Sequence, residues 1–179
     1  RTLPASRADP HPPPGDVEQY AYDDRFVGFK LHPARDGLPD EEVLDQLADV
    51  GKPVLVHGGQ GFSPDAVEQH FLQADFPVIM GHFGGYPLQR DMMSDAIDLL
   101  DRYDQCYLDT SAVRYRDPLE RAIMEHPDRV CFGSGSPAAH PDVAIMEILT
   151  LDVPEDAMTK VFSNNPGRVF DALAPAGDG

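Results

Sequence analysis

Positive charge is scarce in this chain. Only three lysines occur, Lys30, Lys52 and Lys160; the other basic residues are arginines. Acids outnumber bases 31 to 14, so the formal charge is 14 − 31 = −17. A surface this negative repels phosphate backbones, so no nucleic-acid partner is expected. It also suits concentrated salt, where self-repulsion is screened, and a halophilic source is an expectation on that ground. Long apolar runs are missing as well. No stretch nears the roughly 20 residues of a membrane span, so no membrane partner is expected. Cysteine is limited to Cys106 and Cys131, both inside apolar segments. They read as buried free thiols of a reducing compartment rather than a disulfide. The first residues are polar and Pro-rich, which predicts no secretory leader and a cytoplasmic location. Phosphate-cradling glycine motifs are absent. Gly133-Ser134-Gly135 carries only part of the five-residue pattern around an activated serine, which argues against a serine hydrolase.

What is present is a globular composition, with 41% hydrophobic and 8% aromatic residues in 179. Residues 1–24, with Pro12, Pro13 and Pro14, carry neither period and predict an irregular lead-in. Residues 25–173 read as one domain, and residues 174–179 as a flexible tail. From Arg25 onward, short apolar runs alternate with amphipathic stretches. The runs begin at Phe26, Pro53, Pro77, Cys106 and Val130, about 25 residues apart, the length of one βα unit. Near-continuous apolar strands of this kind suit a parallel sheet covered by helices. Helices are predicted over Leu38–Val50, from Ser63-Pro64 as N-cap and first turn, over Leu88–Leu100, and from Asp117-Pro118. Others are predicted over Pro141–Leu149 and Pro154–Phe162, and from Asn165-Pro166 to Leu173.

Parallel α/β folds collect function at the carboxyl ends of their strands. The second run ends His57-Gly58-Gly59 and the third ends His82-Phe83-Gly84-Gly85. Two successive strands thus deliver a histidine, followed by glycines that allow close backbone approach. Two neutral imidazoles at equivalent ends could share one metal ion; the alternative is two structural, hydrogen-bonded histidines. In the first run Lys30 and His32 share a strand face and could both point into the mouth. A lysine in an apolar strand calls for a function or a partner, and Asp109 at another strand end could be that partner. His70, His126 and His140 fall on helices or loops, where solvation or a helix-end contact suits them better than ligation.

Five segments carry a resemblance. They are Val27-Gly28-Phe29-Lys30-Leu31-His32-Pro33, Lys52-Pro53-Val54-Leu55-Val56-His57, Val78 through Gly85, Tyr107-Leu108-Asp109-Thr110-Ser111, and Phe132-Gly133-Ser134-Gly135-Ser136-Pro137. With Asn165-Pro166-Gly167-Arg168-Val169-Phe170 they run in family order, and the chain resembles the amidohydrolase family of metal-dependent barrel hydrolases and decarboxylases. The resemblance implies a (β/α)8 TIM barrel, here partial and lacking the first strands. The chain is about 70 residues short of a typical barrel of about 250.

The resemblance also implies a divalent metal, usually zinc. His57 would be a ligand. His82 would be a second ligand or the catalytic group that orients and protonates substrate or water. Lys30, His32 and Ser134 would face a small organic substrate attacked by metal-activated water. Two features depart from the family pattern. No His-x-His pair occurs, and Gly135 stands where relatives carry a last-strand aspartate. The alternative is therefore an impaired or fragmentary homologue with a binding or assembly role. An open α/β binding module with structural histidines is a third reading. A half-open sheet exposes two edges, and a homo-oligomer would be one way to cover them.

Overall fold

A computed structural model describes residues 14–170. Five strands, β1 (Phe29–Leu31), β2 (Val54–Gly59), β3 (Val78–Tyr86), β4 (Cys106–Asp109) and β5 (Val130–Cys131), form one sheet in the order β1-β2-β3-β4-β5. Every pairing is parallel. A strand order that follows the chain without reversal is barrel winding; a doubly wound sheet would reverse at a switch point. The fold is a partial TIM barrel, five parallel strands alternating with helices.

The helices are α1 (Pro14–Ala21), α2 (Pro33–Asp36), α3 (Glu41–Val50), α4 (Pro64–His70), α5 (Arg90–Leu99), α6 (Arg116–Glu125), α7 (Pro141–Leu149), α8 (Glu155–Thr159) and α9 (Asn165–Val169). A π-helical turn, Lys160–Asn164, joins the last two. Local chemistry sets their ends. Ser63 accepts the Ala66 amide hydrogen at 3.3 Å and Pro64 fills the first position of α4, a cap worth about 1 kcal/mol. Gly51 ends α3 in the left-handed conformation at φ 66. His140 caps α7 by accepting from the Asp142 amide at 3.3 Å, in keeping with a helix-end role.

The structure departs from the sequence expectation in several places: α2 has no counterpart among the predicted helices, and the last helix ends at Val169, with Phe170 extended, rather than running to Leu173. Part of the lead-in expected to be irregular is helical: α1 forms because Val17, Tyr20 and Ala21 fall on one face and bury it, Val17 completely. Residues 1–13 and the expected tail, 174–179, lie outside the described residues. β5 is a two-residue stub. The amide of Phe132 turns to the Val161 carbonyl of the π-helical turn at 2.9 Å instead of continuing the ladder. Lys30 is exposed rather than buried, and it forms no ion pair among the described residues. Asp109 lies three strand spacings away, about 14 Å, beyond reach of a lysine side chain.

The sheet has two unlike faces. Val54, Val56, Val78, Met80, Cys106, Leu108 and Val130 point to the helices and join the main core with Leu47, Phe71, Met93, Ile97 and Ile123. Their alternates Leu55, Ile79, Tyr107 and Cys131 point the other way, to a small cluster closed by Val169 and Phe170 of the C-terminal segment. Asn165, fully buried, anchors that segment by donating to the carbonyls of Pro127 and Val130, both at 2.8 Å. Burial pushes both thiols up to about 12, Cys106 from the helix side and Cys131 from the other. Neither forms a disulfide. The native chain should leave both cysteines unreactive toward a colorimetric thiol reagent above neutral pH, and denaturant should release two. Rapid reaction of either in the native state would contradict this packing.

Candidate functional site

β2 and β3 bring their histidines together because their ends approach backbone to backbone. A Cβ on Gly58 would sit 2.8 Å from the Gly84 Cα, so only glycine permits the crossing. The register shifts between His57 and Gly59, so that Gly59 pairs with Tyr86. His82 (φ 58) and Phe83 (φ 50) both take the left-handed conformation, and Gly84 follows at φ 65. Two consecutive non-glycine residues there cost roughly 1–2 kcal/mol each. Phe83 helps offset that by its complete burial.

The result places His57 Nδ1 and His82 Nε2 3.2 Å apart. His32 stacks on the His57 ring, with centroids 3.9 Å apart and planes 12° from parallel. Tyr86 approaches both His57 and His82 at 5.0 Å between centroids. His32, His57, Gln60 and Tyr86 line an open cavity of about 410 Å³ with the glycines of the 59–61 turn. Burial, together with neighbouring His32 and His82, pushes the His57 imidazole down to about 4. Burial lowers His32 as well. His57 is therefore neutral at neutral pH, with one ring nitrogen protonated and the other carrying a free lone pair.

His82 is held from behind. Its Nδ1 lies 2.9 Å from the Ser111 carbonyl oxygen and 2.8 Å from Ser111 Oγ. Asp109 Oδ1 accepts the amides of His82 and Ser111, each at 2.9 Å, and the Ser111 hydroxyl. Gly133 packs on this carboxylate; a Cβ there would sit 3.1 Å from Asp109 Cγ. Thr110 Oγ1 donates to the Gly133 carbonyl at 3.3 Å and accepts its amide at 3.0 Å, tying the ends of β4 and β5.

The sequence-predicted residues thus divide. His57 and His32 line the cavity, and His82 meets His57 beside it without lining it. Lys30 lies on the same sheet face but does not line it. Ser134 does not line it either; its hydroxyl accepts the Ser136 amide at 3.2 Å and closes a local turn. Sequence reasoning missed Ser111, Tyr86 and the carboxylate hub at Asp109. The Asp-x-Ser spacing directly after an apolar strand was the available signal for the first and last.

The metal implied by the resemblance can be tested against these distances. Two nitrogens bound tetrahedrally to one ion at 2.0–2.1 Å stand about 3.3 Å apart, close to the 3.2 Å seen here. The histidine pair fits two coordination positions. Among the described residues no group of three or more His, Cys, Asp or Glu side chains is placed to hold a metal ion. Gly135 offers no side chain.

The winding of the sheet is that of a TIM barrel, and two histidines pair at its carboxyl edge. The amidohydrolase family profile matches residues 8–172, and the chain belongs to that family. Comparison with curated protein sequences finds no match. Among solved structures, a TIM-barrel protein from Bordetella bronchiseptica is similar at 20% identity and a TM-score of 0.69, over 87% of this chain and 61% of that one. The 5-carboxyvanillate decarboxylase of Sphingomonas paucimobilis follows at 16% identity and 0.62, over 95% and 65%. A manganese-bound dihydroxybenzoic acid decarboxylase from Polaromonas gives 17% identity and 0.62, over 88% and 64%. The chain therefore spans less than two thirds of the length of these structures. At such identities the likeness is one of fold.

The lowered His57 fixes a pH dependence. Its folded value, about 4, lies below the ordinary 6.5, so below 6.5 the unfolded chain binds the proton more readily. The stability held by neutral His57 is complete above about pH 6.5 and is lost as pH falls toward 4. Denaturant melts across that window should show the loss, and His57→Gln should flatten it. Equal slopes in the two proteins would contradict the burial of His57.

Proposed function

We propose that this face acts on a small organic substrate, by hydrolysis or decarboxylation, with a divalent metal ion held by His57 and His82. The observation that carries the reading is the 3.2 Å approach of His57 Nδ1 and His82 Nε2 at adjacent strand ends. Manganese in the Polaromonas neighbour supports a divalent ion rather than zinc in particular. When bound, such an ion polarises an oxygen of the substrate or lowers the pKa of water. The chain's own residues do the rest. Neutral His57 presents its nitrogen without first losing a proton. His32 keeps the His57 ring from rotating by stacking on it. Tyr86 and Gln60, at the cavity wall, are placed to orient the substrate. The Asp109–Ser111 contacts hold the His82 ring against His57.

A second reading is a homologue that binds but does not turn over. The absence of a side chain at Gly135 favours it. The two readings share a metal test. Chelated protein reloaded with Mn2+ or Zn2+ and desalted should retain near-stoichiometric metal, and the His57→Ala, His82→Ala double variant should retain at least tenfold less. Equal retention would defeat the metal site.

Position 135 supplies the next test. Gly135 has φ +70, and a Cβ there would meet only Ala112 N at 3.7 Å, Ser111 Cβ at 3.8 Å and Ala139 Cβ at 4.0 Å. There is room for a side chain beside the residue that holds His82. Asp is among the residues that tolerate this conformation best. Gly135→Asp should tighten metal retention severalfold and, under the catalytic reading, favour turnover. Retention no better than in the parent would show that the missing carboxylate is not the limiting defect.

A further inference from the structure

We propose that Asp109 and Ser111 are positioning residues that lock His82 in the tautomer protonated on Nδ1, leaving its Nε2 lone pair facing His57 Nδ1. The proposal deepens the metal-binding reading and rests on it for its purpose, though the lock itself is a property of the chain without metal.

Hydrogen-bond polarity settles the direction. The Ser111 carbonyl oxygen, 2.9 Å from His82 Nδ1, can only accept. The Nδ1 must therefore carry the proton. Ser111 Oγ, 2.8 Å from the same nitrogen, has one proton of its own, and that proton goes to Asp109 Oδ1. Toward His82 the hydroxyl is left as an acceptor. Two acceptors of Ser111 thus face Nδ1: the carbonyl cannot donate, and the hydroxyl proton is taken by Asp109 Oδ1. Nε2 is then the bare nitrogen, and it is the one that faces His57 Nδ1 at 3.2 Å.

The backbone is fixed by the same carboxylate. The regular β3–β4 pairing ends at Met80 and Leu108. The next donor on β3, the His82 amide, goes to Asp109 Oδ1 at 2.9 Å. One oxygen therefore holds the left-handed turn at His82 and, through Ser111, the ring that the turn presents. Gly133 keeps the space behind it clear, since a side chain there would press on Asp109 at 3.1 Å. A histidine whose second nitrogen is committed to a backbone carbonyl is oriented and made more basic at the first, which is how outer contacts tune metal ligands.

The test is nitrogen NMR on the uniformly labelled, chelator-treated full chain above neutral pH. Two-bond couplings between ring nitrogens and carbon-bound hydrogens report which nitrogen is protonated, and the His82 signals are assigned by their loss in His82→Ala. The expected result is a single His82 tautomer with Nδ1 protonated. An Nε2-protonated ring, or a mixture of tautomers, would overturn the proposal. In Asp109→Ala the expected result is a tautomer mixture and a Mn2+ or Zn2+ affinity lower by about tenfold to a hundredfold. An unchanged tautomer with unchanged affinity would overturn the role of Asp109. Should Asp109→Ala not fold, the wild-type tautomer decides alone. A wild-type chain with the Nδ1-protonated ring but no metal retention upholds the lock and defeats the metal reading, so the two fail separately.

Discussion

A parallel sheet sends side chains to both faces, and both need cover. Here one face is closed by the helices, over a core running from Val43 and Leu47 to Ile148. The other has little to close it. Among the described residues, the apolar side chains that meet Leu55, Ile79, Tyr107 and Cys131 are Val169 and Phe170, and the Arg129 guanidinium lies over the Tyr107 ring. Much else follows from this imbalance. Lys30, on the thinly covered face, is free to reach solvent. His57 and Asp109, further along the same face, sit at the rim of a space that the C-terminal segment does not fill. The stub length of β5 belongs to the same account, since its outer side meets a helical turn and not a sixth strand.

Within that space the site is organised by close backbone approach more than by charge. Gly58 and Gly84 let β2 and β3 converge, and the left-handed turn at His82 and Phe83 swings one imidazole toward the other. An anionic chain has few cations to place here, and the site uses none in direct contact with the two imidazoles. Its polarity comes from one carboxylate and from peptide groups. The arginines are committed elsewhere, as in Arg121 with Asp98 and Glu125 or Arg102 with Glu68. Exposed pairs of this kind contribute about 0–1 kcal/mol each.

Periodic features were legible in the sequence. Strand order and helix positions could be read because apolar period and capping residues are local properties, and Ser63-Pro64 and Gly51 act as their positions suggest. The histidine pair was legible because both residues end apolar runs before glycines. Properties decided by tertiary neighbours were not. Lys30 looked buried because its strand is apolar, yet its face is the uncovered one. The helix over Pro14–Ala21 was hidden by flanking prolines, although Val17, Tyr20 and Ala21 carry its spacing. Asp109 looked like a partner for lysine. Its role depends on how β3 turns at His82, and no spacing in the sequence encodes a positive φ at a histidine.

The strand order has a kinetic consequence as well. Each strand pairs with the one formed about one βα unit earlier, so most contacts close short loops, and structure can grow by addition from any starting pair. The exception is the C-terminal segment. Phe170 lies against Gly28 at the first strand, and Val169 and Arg168 border the same hollow as Lys52 and Pro53. This contact brings Phe170 to Gly28 and so closes a long loop of the chain. It is the step that local growth cannot supply, and it turns a row of βα units into a single cooperative body.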